Sequence, residues 1–186
     1  MKDLVVLVEE RSAKIVIDAL ARRFAPTRRV IVASHEGKSD LEKSFPRKIR
    51  AWRHPGDTLF LVVRDNDGGN CRELKGQLAL KVPPERRDRT RIRIVVQCLE
   101  AWYLGDLPAL AEAAFIPPAR VARLQNDARY RDPDEIGNPA EIFQKLIGRQ
   151  AKLATARALA PLLDPARNRS RSFKALVQTL VHFEGQ

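Results

Sequence analysis

Four short apolar runs recur in the first half of the chain, and the patterns between them constrain the fold most strongly. The runs lie at 4–9, 29–34, 59–63 and about 91–97, and they are rich in valine, leucine and isoleucine. Such runs are typical of strands that are buried on both faces. Helical patterns separate them: one capped by Ser12, one over 41–52 with Pro46 as a kink or break, and one over 70–80. The alternation predicts an α/β fold whose mainly parallel sheet of about four strands is flanked by helices and joined by right-handed crossovers.

The rest of the chain is predicted to be mostly helical. Helices are expected at about 139–147, at 151–161 and in a last stretch that ends near 182. Residues 117–138 are rich in proline, aspartate and arginine and weakly periodic, so we expect a loop or lid over an acidic sheet edge rather than core. A turn is expected at 55–57. We predict one folding unit, with an α/β core at 1–116 and, at 117–186, a loop plus a helical C-terminal extension packed on the same domain.

The balance of charge bears on the partners of the chain. Its 186 residues include 34 Lys and Arg against 23 Asp and Glu, which gives a formal net charge of +11 and a pI near 10.3. Clusters of arginine can form phosphate-attracting faces, although an arginine-rich solvated surface has the same composition. No stretch has the pattern of a signal peptide or a membrane span, so a cytoplasmic protein is expected. Two isolated cysteines, Cys71 and Cys98, are expected to be reduced thiols rather than zinc ligands.

Acidic residues follow three of the four predicted strands. Glu9 and Glu10 close the first strand, Asp65 and Asp67 the third, and Glu100 follows the fourth. Because sites of open parallel sheets lie at the carboxyl ends of the strands, these acids are expected at one edge. In an extended chain Asp65 and Asp67 point to the same side, roughly 6.5–7 Å apart at Cα. Their repulsion favours a hard divalent cation, Mg²⁺ or Mn²⁺, and a plain strand-end turn is the alternative.

Five segments of the sequence resemble a known family. They are VLVEERSA at 6–13, SHEGKSDLEKSFPRKIRAW at 34–52, FLVVRDNDGGNC at 60–71, IVVQCLEAWYLGD at 94–106 and ARNRSRSF at 166–173. In this order they resemble the DUF4276 family, a Toprim-like group. A Glu closing the first strand and an Asp-x-Asp closing a later one resemble the Toprim domain of topoisomerases, primases and overcoming-lysogenization-defect nucleases. The resemblance spans nearly the whole chain and implies a Toprim-like sheet and a metal-dependent nuclease related to bacterial defence against mobile DNA.

The resemblance also implies roles for the acids. Asp65 and Asp67 would hold Mg²⁺ or Mn²⁺, with Glu9 as a further ligand or as the general acid or base. Toprim sequences commonly have glycine where this chain has Glu10, which leaves open which of the two glutamates faces the site as the catalytic residue. Glu100 would complete the metal shell. Asp106, two residues before a proline, is expected to cap a helix instead.

Basic residues are predicted to meet phosphate or nucleic acid across from the acids. Arginine does so by bidentate pairing and lysine as a point charge. The alternative is that these cations only neutralise the acidic cluster. The predicted contacts are Lys38, Arg64, Lys152, Arg169 and Arg171.

Two functions of different classes follow from these predictions. The first is a divalent-metal-dependent phosphodiesterase, a hydrolase that acts on nucleic acid. The second is a non-catalytic Toprim-like module, regulatory or nucleic-acid-binding, that works with an ATPase partner, because Toprim-like nucleases are often found with such ATPases. Neither hypothesis separates DNA, RNA and nucleotide substrates.

Overall fold

A parallel sheet of four strands organises the protein. The structure is a computed structural model that describes residues 2–53 and 57–186. Its strands are β1 (Asp3–Val8), β2 (Arg29–Ser34), β3 (Thr58–Asp65) and β4 (Thr90–Val95), and they pair in the order β2-β1-β3-β4. All three pairings are parallel, which confirms the predicted α/β fold. Most of the predicted turn at 55–57 lies outside the described residues.

The strand order brings the carboxyl ends of β1 and β3 together. The chain runs from β1 outward to β2 and then crosses back over β1 to β3, so its direction along the sheet reverses between the two central strands. Val8, at the end of β1, is paired with Ser34 on one side and Val63 on the other, and β3 continues past that pair to Asp65. The crevice at such a reversal point is the usual binding site of an open parallel sheet.

The described residues form nine α-helices. They are α1 (Arg11–Phe24), α2 (Lys38–Arg50), α3 (Cys71–Lys81), α4 (Leu99–Gly105), α5 (Leu107–Glu112), α6 (Ala119–Asn126), α7 (Pro139–Ile147), α8 (Lys152–Leu159) and α9 (Arg171–Glu184). Glu10 is the N-cap residue of α1, so the prediction that Ser12 caps this helix was wrong. α2 begins earlier than predicted, and Pro46 lies inside it without ending it. None of the described helices is long and apolar enough to cross a membrane.

Each face of the sheet packs against its own apolar core. Because strand side chains alternate, Val5 and Phe60 contribute to one core, which α2 and α3 complete. Leu4 and Leu61 contribute to the larger core on the opposite face, which contains residues of α1, α4 and α9. Residues 4–8 of β1 are all buried, as the apolar run predicts, and Asp3 at the start of the strand is buried as well.

The segment 117–138 is part of the larger core, which corrects the prediction that it is a loop rather than core. It contains α6 and two short 3₁₀ turns at 128–130 and 133–135. Leu124, Tyr130 and Ile136 are buried in the same cluster as the apolar residues of α1 and β1. The helical period is weak because α6 is only 8 residues long and buries Leu124 alone.

Candidate functional site

The five acids that the sequence singles out lie at the carboxyl edge of the sheet. Glu9 and Glu10 connect β1 to α1, Asp65 ends β3, Asp67 lies in the turn that follows, and Glu100 is in the first turn of α4. Burial, and then the negative charges of the other four acids, raise the pKa of the Asp65 carboxyl well above its ordinary value of 3.8. The structure therefore brings the other four carboxylates within range of the charge of Asp65.

Of the two glutamates that follow β1, Glu9 has the carboxylate whose negative charge is less well compensated. Its pKa is raised by burial first and by the charge of Asp67 second, while the charge of Arg64 lowers it. One of its oxygens, Oε2, is buried and has no hydrogen-bond partner among the described residues. A buried oxygen of this kind is a place where a cation or a proton is stabilised.

Glu10 has two partners. The Ser12 hydroxyl donates a hydrogen bond to Oε1 of Glu10, and Nζ of Lys152 lies 3.7 Å from Oε2. Burial lowers the pKa of Lys152, but the charges of Glu10 and Glu100 outweigh it, so the pKa of this ammonium is raised. The predicted lysine at α8 therefore lies on the acidic cluster, and Glu10 is its direct partner.

Lys38 lies against the other end of the cluster. It is the first residue of α2, and its Nζ is 3.2 Å from Oδ2 of Asp67. Both side chains are about half exposed, and exposed ion pairs contribute only about 0–1 kcal/mol to stability. An anionic ligand can therefore compete for this lysine at little cost.

The turn after β3 is held by a residue that sequence reasoning missed. The buried side chain of Asn66 donates to the carbonyl of Gly69 at 2.7 Å and accepts from the backbone N–H of Gln97. Asp67 and Gln97 both have positive φ, 49° and 63°, and the Asp67 N–H donates to the Gln97 carbonyl at 3.2 Å. Asn66 thus ties the loop that carries Asp65 and Asp67 to the end of β4. An asparagine between two aspartates was the only sequence signal for this role.

The three arginines predicted to bind phosphate differ from the two lysines in their surroundings. The Arg64 side chain is only 9% exposed and forms an ion pair with Glu42 at 3.0 Å, so it influences Glu9 through its charge from inside the protein. Nη1 of Arg169 donates to the backbone carbonyl of Gln125 at 2.9 Å. Arg171 forms an ion pair with Asp132 at 2.8 Å. Arg64 is too buried to meet a ligand, and Arg169 and Arg171 are held by residues that are not among the five acids, so none of the three is included in the proposed phosphate site.

Asp106 has a structural role, as predicted. Its side chain accepts a hydrogen bond from the backbone N–H of Ala109 at 3.2 Å and so caps α5. It also accepts from the N–H of Asp164 at 2.8 Å and lies 2.7 Å from Nε of Arg167. These contacts connect α5 to the loop before α9.

Helix ends add positive potential to the acidic edge. α1, α2 and α4 begin there after Glu10, Gly37 and Cys98, and none of these N-cap residues forms a side-chain cap. The first N–H groups of a helix carry a partial positive charge, which stabilises nearby carboxylates and anionic ligands. A small cavity of about 50 Å³ lies beside the edge, with Ser12, Glu100, Tyr103 and Lys152 in its wall.

The acids fit Mg²⁺ or Mn²⁺ in donor type and charge. Carboxylate oxygens are the ligands that these ions prefer, and the partnerless Oε2 of Glu9 and the raised pKa of Asp65 indicate negative charge that lacks compensation. Among the described residues, however, no group of three or more His, Cys, Asp or Glu side chains is already placed to hold a metal ion. Binding through three of these acids therefore requires their side chains to move.

The fold and its acidic edge define an α/β protein with a carboxylate-lined site at the reversal point of a parallel sheet. A family model, DUF4276, described as a domain of unknown function, matches residues 8–181. The chain belongs to this family, which confirms that part of the resemblance. No curated protein matches the sequence.

Solved structures share the fold at low sequence identity. The C-terminal region of the Burkholderia pseudomallei OLD protein superposes with a TM-score of 0.58 at 16% identity and covers 99% of each chain. The C-terminal region of the Xanthomonas campestris pv. campestris OLD protein, phased with platinum, gives 0.53 at 15% identity, covering 98% of this chain and 91% of that one. The iodine-phased structure of the same region gives 0.52 at 14%, covering 98% and 95%.

Proposed function

We propose that the protein is a divalent-metal-dependent phosphodiesterase that acts on nucleic acid. The observation that carries this proposal is the convergence of five carboxylates on one sheet edge, where burial and then the charges of the other four raise the pKa of Asp65. Such repulsion opposes folding unless a cation or a proton offsets it. The Toprim resemblance of the sequence and the fold shared with OLD C-terminal regions support a nuclease over other metal-dependent hydrolases. A role in bacterial defence is part of the same proposal and rests on the resemblance alone.

The acids divide into ligands and a proton-transfer group. Asp65, Asp67 and Glu100 are the proposed ligands of Mg²⁺ or Mn²⁺, and the ion would stabilise negative charge on the phosphodiester. Glu9 is the proposed general acid or base, because its raised pKa lets it exchange a proton closer to neutral pH. Glu10 is already engaged by Ser12 and Lys152, so its proposed role is to position Lys152 and not to transfer a proton.

Two lysines would bind the substrate. Lys38 and Lys152 lie on either side of the acids, and both side chains are more than half exposed. Each can exchange its carboxylate partner for a phosphate oxygen when a metal ion takes over the charge of the acids. The lysines would then orient the phosphodiester above the carboxylates.

Calorimetric titration of Mn²⁺ and Mg²⁺ into the protein tests the metal site before any substrate is known. We expect binding in the wild type and loss of binding in Asp65→Asn. Asp88→Asn is the matched control, because Asp88 is an exposed carboxylate on the connection before β4. Equal titration curves for the wild type and Asp65→Asn would contradict the proposed metal site. Cleavage of labelled DNA and RNA by the wild type, absent in Asp65→Asn with nucleic-acid binding retained, would establish the enzyme.

A second candidate function is a non-catalytic regulatory or nucleic-acid-binding module that works with an ATPase partner. The observation that favours it is that two of the acids, Asp67 and Glu10, are paired with lysines, and that no metal site is already formed among the described residues. This candidate predicts nucleic-acid binding without cleavage in the presence of Mn²⁺. Cleavage by the isolated protein would exclude it.

A further inference from the structure

The outer edge of β4 is open. β4 is the last strand of the sheet and, among the described residues, pairs with β3 alone. Two depressions of about 400 Å³ each lie along it, and both are lined by Lys75, Ile92 and Arg93. They form one continuous groove, the β4 groove, whose walls are α3 on one side and the start of α9 on the other.

Backbone groups of β4 point into this groove. The carbonyls of Arg89 and Val95 accept hydrogen bonds of 2.8 and 3.0 Å from the backbone of the β3 segment. Since alternate residues of a strand face the same neighbour, the odd-numbered residues of β4 are bonded to β3. Ile92 and Ile94 therefore direct their N–H and C=O groups away from β3, and such an edge is a template for a further strand.

The two faces of the groove differ in chemistry. Ile92 packs in the smaller core with residues of α3, and Ile94 packs against the same core. Leu80 of α3, which lines the groove, is 79% exposed. On the opposite face, Nε of Arg93 donates to the backbone carbonyl of Ala175 at 3.2 Å. The α3 face is therefore mainly apolar, with Lys75 in its wall, and the opposite face carries the arginines of β4.

Four of the basic groups that line the groove lack acidic partners among the described residues, whereas Arg171 at its far end pairs with Asp132 and Glu135. Lys75, Arg87, Arg91 and Arg93 all line it, and none of them forms an ion pair with a described carboxylate. Burial and the charge of Arg91 lower the pKa of Arg93. The two carboxylates at the far end of the groove are already engaged, Asp134 by the Ser170 hydroxyl and Glu135 by Arg171.

We infer that the β4 groove binds an extended segment of another protein, in which apolar and acidic residues alternate, as a fifth strand of the sheet. In such a strand, successive side chains point to opposite faces. Its acidic residues would meet Arg91 and Arg93, and its apolar residues would meet Ile94 and Leu80. Main-chain hydrogen bonds to Ile92 and Ile94 would supply affinity, as in other cases of strand addition.

Other occupants fit the groove less well. A second copy paired through β4 would bring Arg91 and Arg93 against the same arginines, and like charges directly opposite each other are destabilising. A nucleic acid would meet the cations, but it would leave the strand's backbone groups unpaired and the apolar face uncovered. Only an acidic and apolar strand satisfies the backbone, the charges and the apolar surface together.

Hydrogen exchange of the 186-residue protein, with and without a synthetic peptide of alternating Glu and Val, tests this inference. We expect slower exchange of the Ile92 and Ile94 amides, and binding at least about fivefold weaker for the matching Lys and Val peptide. Arg91→Glu should weaken binding of the Glu and Val peptide by a similar factor. Arg47→Glu, the same charge change on an exposed residue of α2, should not.

Three outcomes would overturn the inference. One is unchanged exchange of both amides at millimolar peptide. Another is equal affinity for a peptide with the same composition but with Glu and Val in separate blocks. The third is protection of the Ile92 and Ile94 amides by something other than the alternating peptide. This could be an oligonucleotide, or self-association of the protein that Arg91→Glu abolishes. None of these results depends on metal binding, so they leave the proposed phosphodiesterase untouched.

Discussion

At the scale of the residue, Asp65 shows how the site opposes the stability of the fold. Its carboxylate shares the edge with four others, and burial and their charges raise its pKa. At a pH between its unfolded-state and its folded-state pKa, such a carboxyl is protonated in the folded protein and ionised in the unfolded chain. Stability that depends on this group is therefore lost as pH rises from the ordinary value of 3.8 through the folded-state pKa.

Asp65→Asn should stabilise the metal-free protein at neutral pH, by on the order of 1 kcal/mol, because an amide is not repelled by the other acids. The contribution of the Asp65 carboxyl to the pH dependence, a loss of stability as pH rises above 3.8, should also be absent in this variant. Urea denaturation at several pH values with a chelator present measures both effects. The control Asp88→Asn should follow the wild type, and a less stable Asp65→Asn with the wild-type pH dependence would contradict the prediction.

At the scale of the element, the start of α9 is fixed by a buried hydroxyl. Ser170 Oγ accepts a hydrogen bond from the Phe173 N–H at 3.0 Å and donates to Oδ1 of Asp134 at 2.6 Å. It therefore caps α9 and connects that helix to the segment before α7. Both partners are buried, so water does not replace the lost bonds when the hydroxyl is removed.

Ser170→Ala should lower the free energy of unfolding by about 1–2 kcal/mol, because a helix cap is lost and a buried carboxylate loses a donor. Ser39→Ala in the first turn of α2 is the control, since Ser39 is exposed and should tolerate the change. Thermal denaturation followed by circular dichroism compares the two variants. Equal melting temperatures would show that the Ser170 contacts contribute little.

Regular elements were predictable from the sequence because their patterns are local. The apolar runs placed all four strands, and the order of the acids along the chain placed Glu9, Asp65 and Glu100 near strand ends. The environments of Arg169 and Arg171 were not predictable, because their partners Gln125 and Asp132 are distant in sequence. The role of Asn66 depends on positive φ at Asp67 and Gln97, which no local pattern indicates.

At the scale of the whole molecule, the two halves of the chain share one core. One contact between them lies at Gly105 at the end of α4, whose carbonyl accepts a hydrogen bond from the Arg169 N–H at 2.9 Å. The Asn168 side chain lies over this glycine and donates to the Trp102 carbonyl at 2.9 Å. A Cβ at position 105 would overlap the amide of Asn168.

Gly105→Ala should therefore destabilise the protein by about 1–3 kcal/mol, because the added methyl forces α4 and the loop before α9 apart. Gly76→Ala is the matched control: Gly76 is also helical, and a Cβ there has nothing within 4 Å, so the change should be neutral or stabilising. Tryptophan fluorescence and circular dichroism during urea denaturation should give one shared transition. Separate transitions for the two signals would argue against a single folding unit.

The arginines of β4 have a consequence for how the protein behaves at high concentration. An open, flat, apolar strand edge promotes aggregation by pairing with the same edge of other molecules. Arg91 and Arg93 alternate with Ile92 and Ile94 on that edge, so every encounter between two copies brings cations together. The two arginines thereby oppose fibre growth through the β4 edge, and this protection would be lost if both became valines.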